Sequence, residues 1–275
     1  AKGHDRRTQT HRYVVGVKGG TRMVNKMKTK IGLQLYSLRQ QCNENLERVF
    51  AALSNTGYDG VEFYSFYDLA ANDLKKLLDK YCLKPIGTHT GLEGLQTSLD
   101  DLIRYSTTIG SKDVTLAYYN SDHRDEWLRL CAVLESVGEK LRGYGLNLLY
   151  HNHAHEFIAN LDGERPIDLI LKQTSPQNLS LELDCYWVKY AGMDPEQYLK
   201  NNLGRVKTVH LKDMEKNKRK MTEVGTGIID YAGIYKICAE ADFEWVIIEQ
   251  DDIEIDPWQS IKISLENVKK FRQRI

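Results

Sequence analysis

LNLLYHNH (146–153), LSLELD (179–184), VKTVH (206–210) and FEWVIIE (243–249) each carry a short apolar run to an end made of histidine, aspartate or glutamate. Runs of four to six apolar and β-branched residues read as buried strands. Four such strands, each ending in a donor side chain, can bring those ends together at one edge of a parallel sheet. The donors are His151, His153, Asp184, His210 and Glu249. Nitrogen and oxygen donors in that mixture suit a divalent cation: Mn, Co, Zn or Mg.

Outward from these runs, the chain alternates strand-like and helix-like segments from Lys30 onward. The other strand candidates are KIGLQLY (30–36), DGVEF (59–63), KPIGTH (84–89) and KDVTLAY (112–118). Helical spacing is expected over 44–56, 70–81, 97–109, 124–142, 166–173, 194–202, 230–241 and 257–272. In the first of these, Leu46, Val49, Phe50 and Leu53 form one stripe. Gly57, Gly110, Gly143 and Gly145 read as helix stops. Asp194-Pro195 and Asp256-Pro257 read as helix starts. Strand–helix alternation implies a parallel sheet with helical crossovers. Eight units fit an α/β fold of the (β/α)8 TIM-barrel type, typically ~250 residues, as a single domain. A doubly wound open sheet is the competing reading, but no glycine-rich phosphate loop follows the first strand. Residues 1–29 are basic and lack a sustained apolar period; they read as an N-terminal extension to a domain at 30–275.

Composition bounds the function. Lys+Arg and Asp+Glu are both 38, giving zero net charge. That argues against nucleic acid as a partner and against an acidic membrane surface. Five dispersed cysteines without a CxxC fit a reducing compartment, so a cytoplasmic location is expected. No apolar run is long enough to span a bilayer.

A barrel places its chemistry at the C-terminal ends of its strands. Period-two alternation can turn His151, Asp184, His210 and Glu249 inward without conflict. Alternation also places Ser180 and Glu182 on the face of Asp184, and Lys212 on the face of His210. Gln34, Tyr36, Glu62 and His89 add polar groups near the ends of the first three strands. Each alone has a structural explanation. Asp184 or Glu249 could cap the helix that follows, and a lone histidine is more often hydrogen-bonded structure than ligand. Two acids and two imidazoles together would be costly without a cation.

The motifs IGLQLYSLR (31–39), GYDGVEF (57–63), LLYHNHAHEF (148–157), LELDCYWVKYAGMDP (181–195), VHLKDM (209–214), EVGTGIIDY (223–231) and VIIEQDD (246–252) resemble the sugar phosphate isomerase/epimerase superfamily. Its barrel is xylose isomerase-like, and the resemblance is to the inosose dehydratase-related group, across residues 30–275. It implies a divalent metal held by a strand-five carboxylate, a strand-six Asp, a strand-seven His and a strand-eight Glu. Asp184, His210 and Glu249 match the last three. At the first position this chain has His151-Asn152-His153 where many relatives have Glu-Asn-His. Either His151 is the ligand or Glu156 reaches back. His153 matches a substrate-contacting histidine, and Trp187 stands where the epimerase branch has a histidine.

The resemblance also implies a small-molecule sugar substrate. The expected activity is isomerisation or epimerisation of a keto sugar through a metal-stabilised enediolate. Dehydration or elimination on an inosose or keto-glycoside is the alternative. Glu249 is the expected base, Glu156 a second acid/base, and Lys212 a neutraliser of developing charge. An endonuclease IV-like repair enzyme and a non-catalytic sugar-binding protein are the competing classes. Barrels of this kind often pair, so a homo-oligomer is compatible with this reading.

Overall fold

A computed structural model of the chain describes residues 29–274; all of the basic extension but its last residue lies outside them. Eight strands close into a parallel barrel. They are β1 (Lys30–Gln34), β2 (Gly60–Phe63), β3 (Lys84–Thr90), β4 (Asp113–Leu116), β5 (Asn147–His151), β6 (Ser180–Asp184), β7 (Val206–Leu211) and, after a two-stranded hairpin of β8 (Asp213–Met214) with β9 (Met221–Thr222), β10 (Trp245–Ile248). Each strand pairs with its sequence neighbour around the ring, and β10 closes on β1. This is the expected (β/α)8 barrel.

Two separate apolar clusters hold the ring. Outward residues such as Leu33, Val61, Val114, Leu148, Leu181, Val209 and Val246 pack under the helices. Inside, Ile86, Trp245 and Ile247 form their own cluster. They fit because the neighbouring inward positions are glycine. A Cβ on Gly32 would come within 2.2 Å of the Ile86 side chain, and one on Gly60 within 2.4 Å of the Lys84 carbonyl oxygen. Side chains therefore fill the barrel's lower interior, as expected for this fold.

One irregularity bears on the site. Opposite Val61 and Phe63 of β2 lie Pro85 and Thr88 of β3, so β3 carries one extra residue there. Plain alternation from the inward Ile86 would turn His89 outward. The bulge shifts the parity and sends His89 into the barrel, where it meets Glu182.

The helices depart from the expected bounds for local reasons. Strand one stops at Gln34, and residues Leu35–Leu38 turn into a 3-10 helix started by the Gln34 side chain. The next helix runs Arg39–Thr56, but Asn45 has extended backbone angles and its side chain accepts from Arg48 N–H at 2.9 Å. The regular apolar stripe thus begins behind an internal cap. The helix expected over 97–109 runs Leu99–Ile109, and a short unexpected helix, Leu92–Thr97, precedes it. Gly57 and Gly110 end helices in the left-handed region. Gly143 instead is the last residue of its helix, and Gly145 takes the positive φ. Asp194 and Asp256 cap their helices, each with proline at the first turn. Among the described residues, no helix is long and apolar enough to cross a membrane.

Candidate metal centre and adjoining cavity

At the C-terminal mouth of the barrel the alternation of each strand delivers its donors. His151 ends β5, Asp184 ends β6, His210 lies near the end of β7, and Glu249 follows β10. One donor atom from each of the four lies within 4.8 Å of the others, and all four residues are buried. The four expected metal ligands are therefore assembled from four strands.

The barrel adds a second set that shares two of these residues: His89, His151, Glu182 and His210 also offer donor atoms within 4.8 Å of one another. Glu182 is fully buried, and its Oε1 lies 2.6 Å from His89 Nε2, 3.1 Å from His151 Nδ1 and 3.2 Å from His210 Nε2. The alternation that turns Asp184 inward puts Glu182 on the same face, one layer deeper. That was the available signal for a residue not singled out as part of the site.

Asp184 fills two roles. Its Oδ1 accepts from Trp187 N–H at 3.0 Å and starts the helix Cys185–Tyr190. Its Oδ2 is buried without a hydrogen bond and lies 3.1 Å from Lys212 Nζ. The capping and ligating readings of this residue thus fall on different oxygens. Lys212 is 1% exposed and gathers three carboxylates: Asp184, Glu249 at 2.9 Å and Asp251 at 3.1 Å.

Burial disfavours the charged form of every group here, and neighbours decide the outcome. It would lower His210 and His89, but Glu182 and Glu62 reverse this, holding His210 well above the ordinary range and His89 at about 10. Burial would raise Glu249, yet Lys212 and His210 hold it well below the carboxylate range. Burial and the neighbouring His210 and His89 keep His151 neutral. Burial, with His151 next, pushes His153 down to about 2.

A cavity of about 460 Å³ opens over this cluster, in the size range of small-ligand sites. Tyr36, His89, His151, His153, Lys212 and Glu249 reach it, joined by Tyr64, Tyr118 and Asp251. Trp187 lines an adjoining cavity that shares Tyr118 and His153 as walls. Two expected substrate contacts are placed otherwise. Gln34 and Glu62 are fully buried, with Gln34 Nε2 donating to Glu62 Oε2 at 2.7 Å, and Glu62 in turn 2.8 Å from His210 Nε2. They underlie the site and are absent from its wall.

Glu156 departs further. It accepts from the Tyr150 hydroxyl at 2.9 Å and from His153 N–H at 2.8 Å. Tyr150 belongs to the outer core of β5, on the face opposite His151. Glu156 is thus tied away from the donor cluster and joins neither set. Burial, its largest influence, raises its pKa. Asp213, just past β7, accepts backbone N–H groups of Met214, Gly225, Gly227 and Ile229, which folds the EVGTGIIDY segment around the hairpin.

The chain is similar in sequence and in fold to several known proteins. A protein named inosose dehydratase from Clostridium botulinum (strain Alaska E43 / Type E3) is 30% identical over 171 residues, 56% of this chain and 55% of its own length. One of the same name from Lacticaseibacillus casei is 28% identical over 155 residues, 49% and 51% respectively. The chain spans about half the length of these curated relatives. In fold it is similar to a sugar phosphate isomerase/epimerase from Parabacteroides distasonis ATCC 8503, with TM-score 0.75 and 22% identity over 88% of this chain and 94% of that one. A structure of the IOLI protein with a bound zinc atom gives TM-score 0.68 at 15% identity, over 90% of this chain and 99% of that one. The family described as "Xylose isomerase-like TIM barrel" matches residues 50–273, most of the chain, and the chain belongs to that family.

Proposed function

We propose that this chain is a divalent-cation-dependent enzyme that moves a proton on the carbon beside the carbonyl of a keto sugar or close derivative. The observation that carries this is the four-strand donor set of His151, Asp184, His210 and Glu249 beneath a sugar-sized cavity. The set fits a cation: it is buried, it mixes carboxylate and imidazole, and Asp184 Oδ2, beside the Lys212 ammonium at 3.1 Å, accepts no hydrogen bond. When bound, a divalent cation would polarise a carbonyl–hydroxyl pair and stabilise the negative charge that proton removal builds.

The chain's own residues supply the rest. Glu249 faces the cavity from the edge of the donor set, the position from which a carboxylate can take the proton. Lys212 Nζ, 2.9 Å from Glu249 Oε2, steadies that carboxylate and offers a positive charge to a developing oxyanion. His153, neutral, hydrogen-bonds the substrate without adding charge. His89, Tyr36, Tyr64 and Tyr118 form the walls that orient the ring, and Trp187 extends them. Glu156 holds the turn that presents His153 and takes no part in proton transfer. Return of the proton to the neighbouring carbon gives an isomer; return to the opposite face gives an epimer. Loss of a β-hydroxyl gives dehydration, a second reading favoured by the relatives named inosose dehydratase. The zinc in the IOLI protein supports a divalent cation without selecting the element.

The test is metal content by mass spectrometry for the parent and Asp184→Ala, then keto sugars and inososes incubated in deuterated water. About one equivalent in the parent, lost in the variant, with deuterium entering beside the carbonyl, is the expected result. A loaded protein that exchanges no hydrogen on any of them would leave a binding protein; no metal at all would remove the cation.

A further inference from the structure

We propose that Glu182, with Glu62 beside it, is a positioning residue of the cation site, acting through His151 and His210. The inference rests on the cation reading above. Both imidazoles are two-faced. His210 turns Nδ1 to Glu249 Oε2 at 2.8 Å and Nε2 to Glu62 Oε2 at 2.8 Å and Glu182 Oε1 at 3.2 Å. His151 turns Nε2 to Asp184 Oδ2 at 3.6 Å and Nδ1 to Glu182 Oε1 at 3.1 Å. Each ring thus has one nitrogen among the upper donors and one on the carboxylates below. A carboxylate accepting the lower N–H fixes the tautomer, aims the ring and makes the upper nitrogen a better donor. The lower pair also adds negative charge beneath a set whose own charge Lys212 partly offsets.

Glu182 is built for this task and little else. It is fully buried, it does not line the cavity, and β6 holds it two residues before Asp184. Its Oε1 serves both rings, with His89 Nε2 as a third partner at 2.6 Å. One carboxylate therefore reaches two ligands on different strands, hydrogen-bonding His151 and sharing His210 Nε2 with Glu62. The chain-specific assignment that follows is that His210 meets a cation through Nδ1 and His151 through Nε2.

Zinc and ¹⁵N-histidine NMR test this without any activity measurement. In zinc-loaded parent protein, the retained N–H should lie on Nδ1 of His151 and Nε2 of His210. The reverse protonation on either ring overturns the proposal, and this observation needs no variant. Zinc affinity, read by competition with a chromophoric chelator, should fall roughly 10–100-fold in Glu182→Gln, with part recovered in Glu182→Asp. Unchanged affinity in a folded Glu182→Gln protein overturns it. So does a second bound zinc in the parent that this variant loses, since Glu182 would then be a ligand. A parent that binds no zinc, manganese or cobalt removes the cation reading itself. A parent that binds zinc with the wrong nitrogens removes only this inference.

Discussion

Lys212→Met isolates the electrostatics of the mouth. The ammonium is 1% exposed and lies 2.9 Å from Glu249, 3.1 Å from Asp184 and 3.1 Å from Asp251. Burial opposes its charge, yet the three carboxylates hold its pKa well above the ordinary lysine value. Methionine keeps most of the volume and leaves those carboxylates without their cation. Removing one partner of a buried ion pair costs about 3–5 kcal/mol. For a domain of this size that is a Tm loss of roughly 6–20 °C in the presence of a chelator. A divalent cation should then repair the variant more than it helps the parent, because the competing ammonium is gone. At a concentration ~100 times its Kd, a bound ion returns about 2.7 kcal/mol. Thermal melts of both proteins, in chelator and in excess Mn, read all four states. A Tm loss in chelator below about 2 °C, or a metal-induced rise no larger in Lys212→Met than in the parent, would refute the reasoning.

Two further outcomes follow from other parts of the barrel. Burial raises the Asp113 carboxyl from 3.8 to about 7, with the Asn147 amide opposing. The native state then holds a proton that the unfolded chain loses, so stability falls as pH rises through that window. Asp113→Asn should remove this dependence, and its advantage over the parent in urea unfolding should grow by roughly 2 kcal/mol between about pH 5.5 and about pH 8; a constant gap would show that Asp113 titrates normally. Gly138 lies in the helix Arg124–Gly143, where a Cβ would come within 1.9 Å of the Asn178 carbonyl oxygen. Gly138→Ala should cost about 1–3 kcal/mol through forced backbone movement, read as a lower urea midpoint, and an unchanged midpoint would contradict that contact.

The barrel and most of its mouth were legible because one rule, period-two alternation, governs both. The runs ending in His151, Asp184, His210 and Glu249 are apolar where they face the helices and carry donors at their last inward positions, at the mouth. The same rule held Glu182 on the inner face, but a glutamate in mid-strand has no end to mark it, and its three imidazole partners are distant in sequence. His89 required a bulge that the sequence of β3 does not announce. Glu156 could not be oriented by spacing, because the turn after β5 and the hydroxyl of Tyr150 decide where it goes. Gln34 and Glu62 have the polarity of substrate contacts but bond each other in the interior, a pairing between strands that sequence alone does not specify.

The double duty of Asp184 has an optical consequence. The carboxylate that faces Lys212 also holds the backbone N–H of Trp187 at 3.0 Å, and the indole ring lies 5.9 Å from the Lys212 ammonium and 5.5 Å from the His153 ring. Trp127 and Trp245 are buried elsewhere in the barrel and its helical shell. Trp258 lies on the helix Pro257–Gln273. A shift of charge at the mouth therefore changes the field on the Trp187 indole, and a Trp258→Phe background leaves that ring as the fluorescent gauge beside the centre, with no label and no turnover.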